Sequence, residues 1–326
     1  MEMLTWNILI VVSKCLFYFG FATTFGLYFW RFLFIQDAAF VLPNARGAKL
    51  ISIERSSSPA CEATSTPNLV TSLAPQLLPA IATVLAALLW FFFNTGAMAE
   101  DGFSGMFDPL MLDIFWTSSV GDATVLRVLA MVGFIVLQLF THYWLTRSAS
   151  NITAKIANIL SIGCLFIVSY SFTLTGHVAE LSWLPKLLIV LHVSVMAWWF
   201  GLLLPLRSAC LALPNDALQA LMLRFGKQAS ILVPLLLLAG IALAYLLLGS
   251  FEALFGTPYG QVLLTKIVSV AVILTIALSN KLRIVPALSS PEGAKRLARS
   301  ITIEMLVGVL LLSLCSILTS VVGPGA

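Results

Sequence analysis

Eight apolar runs constrain this chain more than any other feature. They cover about 6–34, 74–96, 123–146, 153–175, 186–206, 229–249, 261–281 and 301–321. Each approaches or exceeds the roughly 20 residues that cross a 30 Å hydrocarbon core. Clusters of Pro, Gly and Ser separate most of them. Composition agrees. Of 326 residues, 60% are hydrophobic and only 10% charged, with a mean hydropathy of +1.01. An ordinary soluble domain carries about 25% charged residues. Here 18 basic and 14 acidic side chains cannot cover a soluble body of this size. Disorder, a fibrous repeat and a nucleic-acid-binding domain are excluded as well. The alternating ten-residue strands of an outer-membrane barrel are absent. The expected fold is all-α: a polytopic membrane protein in which a single domain, 1–326, forms a bundle of eight transmembrane helices.

An even number of spans puts both termini on one side, and the basic residues choose that side. Arg31, Arg46, Lys49, Arg55, Arg147, Lys155, Arg207, Arg224, Lys227, Lys281, Arg283, Lys295, Arg296 and Arg299 share one face, which makes 14 of the 18. The positive-inside rule makes that face cytoplasmic. Both termini are then periplasmic in a bacterial inner membrane. The opposite face carries Glu100, Asp101, Asp108, Asp113, Asp122, Glu180 and Glu252. Either these acids form an entrance that draws cations, or they gather where Lys and Arg are excluded. The stretch from about 36 to 72 reads as a flexible cytoplasmic loop. Phe107 to Trp116 reads as a short amphipathic segment in the outer interface. The N-terminus shows no basic n-region, so no removable signal peptide is expected.

Few residues offer chemistry. The five cysteines make no CxxC and no zinc pattern, and no disulfide framework is expected. Of the three histidines, His177 falls at the outer end of the fourth span and His192 inside the fifth, six residues beyond Lys186. Imidazole is costly in lipid and marks a functional site by default. The alternative is a hydrogen bond between helices. His142, beside Tyr143 and Trp144, reads as interfacial. Met196 follows His192 by four residues and shares its helix face. Imidazole plus thioether is a soft donor set suited to monovalent copper. Met98, Met106, Met111 and Met131 form a possible supply on the outer side, with Cys15 and Cys164 as further soft candidates. Each of these also fits ordinary packing.

Four cations lie near or below the outer surface: Lys14, Arg127, Lys186 and Lys266. Snorkelling accounts for Lys186 and Arg127, and Lys266 is placed to pair with Asp122 or Glu252. Lys14 is deepest and needs a partner. Such cations fit haem propionates better than a copper path, which keeps a haem reading open. On the inner side, Asn280 and Glu304 are placed to meet Lys281, Arg299 or each other, as a structural ion pair or as an exit gate. No phosphate-binding loop, phosphate-accepting Asp motif or nucleophile elbow is present. Neither enzymatic chemistry nor direct ATP drive is expected.

The motifs, in order, are Gly121 to Arg127; Gly176-His177-Val178; His192-Val193 with Ala197-Trp198-Trp199-Phe200-Gly201-Leu202 and Pro205; Gly256-Thr257-Pro258-Tyr259-Gly260-Gln261 with Lys266; Asn280-Lys281-Leu282; and Glu304 with Gly308. From about Ser118 onward the chain resembles the copper resistance protein D (CopD) family of bacterial inner-membrane proteins. Leu202 stands where the family usually has a second glycine, and Val178 where alanine is common. The resemblance implies copper handling, with His177 and His192 as the functional histidines. It also implies a separate periplasmic copper-binding protein of CopC type as partner. The leading expectation is movement of Cu(I) from the periplasm inward. The alternatives are a haem-binding electron-transfer protein or oxidoreductase, and a copper-binding sensor or scaffold without transport.

Overall fold

The computed structural model describes residues 2–40, 74–148, 151–176, 179–248, 252–290 and 292–321. His177, Cys61 and most of the expected 36–72 loop lie outside them. The described residues contain helices and no strand. In chain order these are α1 (Glu2–Phe40), α2 (Ala74–Ala99), α3 (Pro109–Trp116), α4 (Ser119–Ser148), α5 (Asn151–Tyr170), α6 (Trp183–Ala212), α7 (Asn215–Leu248), α8 (Ala253–Gly256), α9 (Pro258–Ser279) and α10 (Gly293–Leu318). Eight of them are long and apolar enough to cross a membrane. The chain is a multi-pass membrane protein.

Several helices overrun the apolar runs that announced them. α7 begins at Asn215 and α10 at Gly293, well before the hydropathy rises near 229 and 301. The added turns carry Arg224, Lys227, Lys295, Arg296 and Arg299. Helical hydrogen bonding continues into water, whereas an apolar run marks only the part that lipid would cover. α1 likewise continues to Phe40, so the first residues of the expected loop are helical.

α1 and α6 form the centre of the bundle. Phe17, Phe21, Phe25 and Tyr28 of α1 are buried, as are Leu202, Leu203 and Leu206 of α6. The two helices touch backbone to backbone at Gly26 and Gly201. A Cβ on Gly201 would fall on the Ala22 carbonyl, and one on Gly26 would fall on the Gly201 backbone. Small residues permit this approach where lipid provides no hydrophobic drive between helices. The outward faces of α7 and α9 leave Ile231, Leu238, Ile241, Ile267 and Val272 exposed, as a lipid-facing surface requires.

The N-terminal part of α1 lies beside the C-terminal end of α10. Ser316 Oγ donates to the Val11 carbonyl at 2.8 Å, and Tyr18 Oη lies 3.3 Å from Thr319 Oγ1. The two ends of the chain therefore share one end of the bundle. At that end a 3₁₀ turn, Gly102–Phe107, and α3 cover the segment expected to be amphipathic. Asp108 caps α3, its Oδ1 accepting from Met111 N–H at 2.9 Å, with Pro109 in the first turn. Asp108→Ala should cost about 0.5–2 kcal/mol of local helix stability. It would be read as faster amide exchange at Met111 and its neighbours, and unchanged exchange would count against the cap.

Candidate functional site

His192 lies in α6, and its ring rests on α7. Nδ1 is 3.1 Å from the Leu236 carbonyl oxygen. A carbonyl only accepts, so Nδ1 carries the proton and Nε2 keeps its lone pair. Gly240 makes room for the ring, since a Cβ there would stand 3.0 Å from His192 Cε1. A histidine held by one N–H on a carbonyl has its tautomer and its plane fixed, the usual arrangement behind a metal-binding imidazole. Lys266 of α9 is close enough to act on the ring electrostatically.

Met196 shares the His192 face of α6 and is half-buried against the core. The other soft donors do not gather around this pair. Met131 is fully buried in the central packing, while Met98 is exposed at the end of α2. Met106 packs near Gly96, and its Cγ would be 2.8 Å from a Cβ there. Met111 is half-buried in α3. Cys15 Sγ lies 3.5 Å from Ser313 Oγ. Cys164 is half-buried in α5, and His142 is exposed near the end of α4. Among the described residues no three His, Cys, Asp or Glu side chains form a metal-sized group.

The cations behave differently from the sequence expectation. Arg127 does not snorkel. It is only 2% exposed, with its Cζ 4.7 Å from the Phe17 and Trp90 ring centroids and 5.4 Å from that of Phe172. Its Nε donates to Ser171 Oγ at 3.0 Å. Aromatic faces supply the negative potential that water would otherwise supply, so the guanidinium stays inside. The opposite side of the story is Lys14, 6% exposed, whose Nζ is 5.6 Å from the same Trp90 centroid. That Nζ donates to the Thr319 carbonyl at 2.9 Å and lies 3.2 Å from Ser320 Oγ. Lys266 hydrogen-bonds to the Cys315 thiol, with Tyr259 within electrostatic range, instead of pairing with Asp122 or Glu252. Among the described residues no carboxylate is a partner of any of the three. Lys186 is half-buried near the start of α6.

Sequence reasoning missed Cys315, Trp90, Ser171 and Phe172. Trp90 and Phe172 look like ordinary apolar residues within their runs. Only the packing of α2 and of the turn after α5 against α4 reveals what they do.

At the other end of the bundle, α9 widens into a single π turn over Asn280–Ile284. Val285 N–H donates to the Asn280 carbonyl five residues back, at 2.9 Å. The Asn280 side-chain Nδ2–H donates to Glu304 Oε1 of α10. Both residues are buried, and both line a cavity of about 210 Å³ between α6, α7, α9 and α10. At that cavity Lys281 Nζ donates to Ser230 Oγ of α7.

Residues 219–318 match the family described as CopD, Copper resistance protein D. Over that stretch the chain is similar to the copper resistance protein D family. The match supports the resemblance seen in the sequence. The matched region takes in most of α7, all of α8 and α9, the π turn and α10. It therefore includes Leu236, Gly240, Lys266, Asn280, Glu304 and Cys315, but neither His192 nor Met196. No curated protein and no solved structure matches the chain.

Proposed function

We propose that this protein carries Cu(I) inward across a bacterial inner membrane, with His192, Met196 and His177 as the uptake site. The observation that carries the reading is the seat of His192. Its ring lies on Leu236 and Gly240 of α7, inside the region that matches a copper resistance family. Nε2 is left to bind, and Met196 adds a thioether on the same helix face. Two soft neutral donors suit Cu(I). Lys266 beside the ring opposes a bound cation and so favours release over storage. Copper is the cargo of this site, and the protein acts on it without catalysing a reaction.

Both termini and the acidic segment around Asp101, Asp108 and Asp113 then face the periplasm. A separate copper-binding protein of CopC type would dock there and hand over its ion.

The test is His192→Ala in detergent-purified protein under reducing, anaerobic conditions. Titration against a competing Cu(I) chelator should show stoichiometric binding in the parent and at least a tenfold loss in the variant, about 1.4 kcal/mol. Cells carrying the variant should lose their copper phenotype at unchanged protein level. Equal binding by both proteins would sink the site. A Soret band lost with His192 would replace copper with haem. Tight binding without uptake into vesicles would leave a sensor or scaffold.

A further inference from the structure

Glu304 is a carboxyl group 3% exposed, and Asn280 beside it is 5% exposed. Only one of the amide's two polar ends is used. Its N–H donates to Glu304 Oε1, while Asn280 Oδ1 is buried without a partner. A buried acceptor without a donor costs about 1–3 kcal/mol, and a side chain that can turn over has a way to recover it. With the amide rotated by half a turn, Oδ1 faces the carboxyl group and calls for an O–H donor. Only the protonated acid offers one. The pair thus has one arrangement for each state: amide N–H to carboxylate, or carboxylic O–H to amide oxygen.

The surroundings decide what the site takes. α6 lines the cavity with Trp199, Leu203 and Leu206, none of them charged. α7 adds Ser230 as its one hydroxyl, and α10 adds no charge beyond Glu304. The π turn contributes Lys281, the only other charged group among the described residues that line the cavity, and that ammonium donates to Ser230 Oγ on α7. A hard metal ion wants six or more oxygens, and only the carboxylate, the amide oxygen and one hydroxyl are at hand. A soft ion would find Met222 alone among the lining residues. A cavity of about 210 Å³ is large enough for several water molecules, each needing roughly 30 Å³. A π turn on the wall is a common mark of a functional position.

We propose that Glu304 is a reversible proton-binding site served by water in this cavity, with Asn280 as the partner that satisfies both of its states. A hydronium ion gives up its proton, an O–H bond forms on the Glu304 carboxylate, and water remains. The reverse step returns the proton to water, and no electron moves. Use of this proton to drive copper movement rests on the functional reading above, whereas the proton site itself does not.

Infrared difference spectra of the full chain in lipid nanodiscs, recorded across a pH titration, test the site directly. The parent protein should show one carboxylic-acid C=O band that appears on acidification. Glu304→Gln should remove the band, and Asn280→Ala, which removes the accepting oxygen, should shift its frequency. A band that persists in Glu304→Gln, or that follows sodium instead of pH, would overturn the proposal. If Glu304→Gln fails to fold, an unshifted band in Asn280→Ala overturns it equally. In vesicles, an imposed proton gradient should raise Cu(I) uptake several-fold in the parent and not in Glu304→Gln, while downhill exchange persists in both. Absence of copper uptake in the parent would sink the copper reading alone, with the infrared band still deciding the proton site.

Discussion

Gly201→Leu leaves almost no folded protein. The position admits no side chain, because a single Cβ would already fall on the Ala22 carbonyl of α1. The Ala22 carbonyl and the Gly26 nitrogen that it would meet are both helix backbone, and no flexible side-chain end is there to swing aside. Overpacking a core commonly costs 1–3 kcal/mol when side chains can adjust, and here the two helices must part instead. Parting them opens the layer in which Phe21, Phe25, Leu202 and Leu203 are buried. Marginal stability of about 5–15 kcal/mol does not absorb the loss of its central layer. The contrast is Gly163 of α5, where a Cβ would meet nothing within 4 Å. Gly163→Ala should be neutral or stabilising by up to about 1 kcal/mol, from helix propensity alone. Detergent-solubilised yield and thermal unfolding of the two variants make the measurement. A Gly201→Leu protein as abundant and as heat-stable as the parent would remove the α1–α6 crossing from the fold.

That crossing also shows what a sequence discloses and what it withholds. Gly201 stood out as part of a Trp-Phe-Gly motif, but nothing in the motif named Gly26 as its partner. The eight spans were legible because lipid demands long apolar runs, and hydropathy reads that demand directly. The charged first turns of α7 and α10 were not legible, since a charged helix in water and a charged loop have similar composition. The approach of Asn280 to Glu304 was legible only as one of several pairings, beside Lys281 and Arg299, from two polar residues near the same ends of adjacent spans. The seat of His192 on Leu236 and Gly240 was not, because rotation of a helix about its axis is set by packing. Arg127 was misplaced for a related reason. A basic residue near a span end invites snorkelling, and the three rings that keep it inside come from helix α1, helix α2 and the turn after α5.

Trp90→Ala should be the most damaging single change on α2. The indole is buried and serves two cations at once, with Arg127 Cζ at 4.7 Å and Lys14 Nζ at 5.6 Å from its centroid. Truncating a buried Trp costs about 3–5 kcal/mol through lost burial and the cavity left behind. Each cation loses a face worth about 0.5–2 kcal/mol when desolvated. The two cations also lose the ring between them in a region where no described carboxylate compensates either. The sum approaches the whole stability of an ordinary domain. Trp90→Phe keeps a face and most of the volume, so it should fall between the parent and the alanine variant in thermal unfolding. The decisive comparison repeats Trp90→Ala in a Lys14→Met background. With one cation gone, the same truncation should cost less, by a coupling of about 0.5–2 kcal/mol. An identical cost in both backgrounds would mean that the indole only fills space, and that the buried ammonium is held by Thr319 and Ser320 without it.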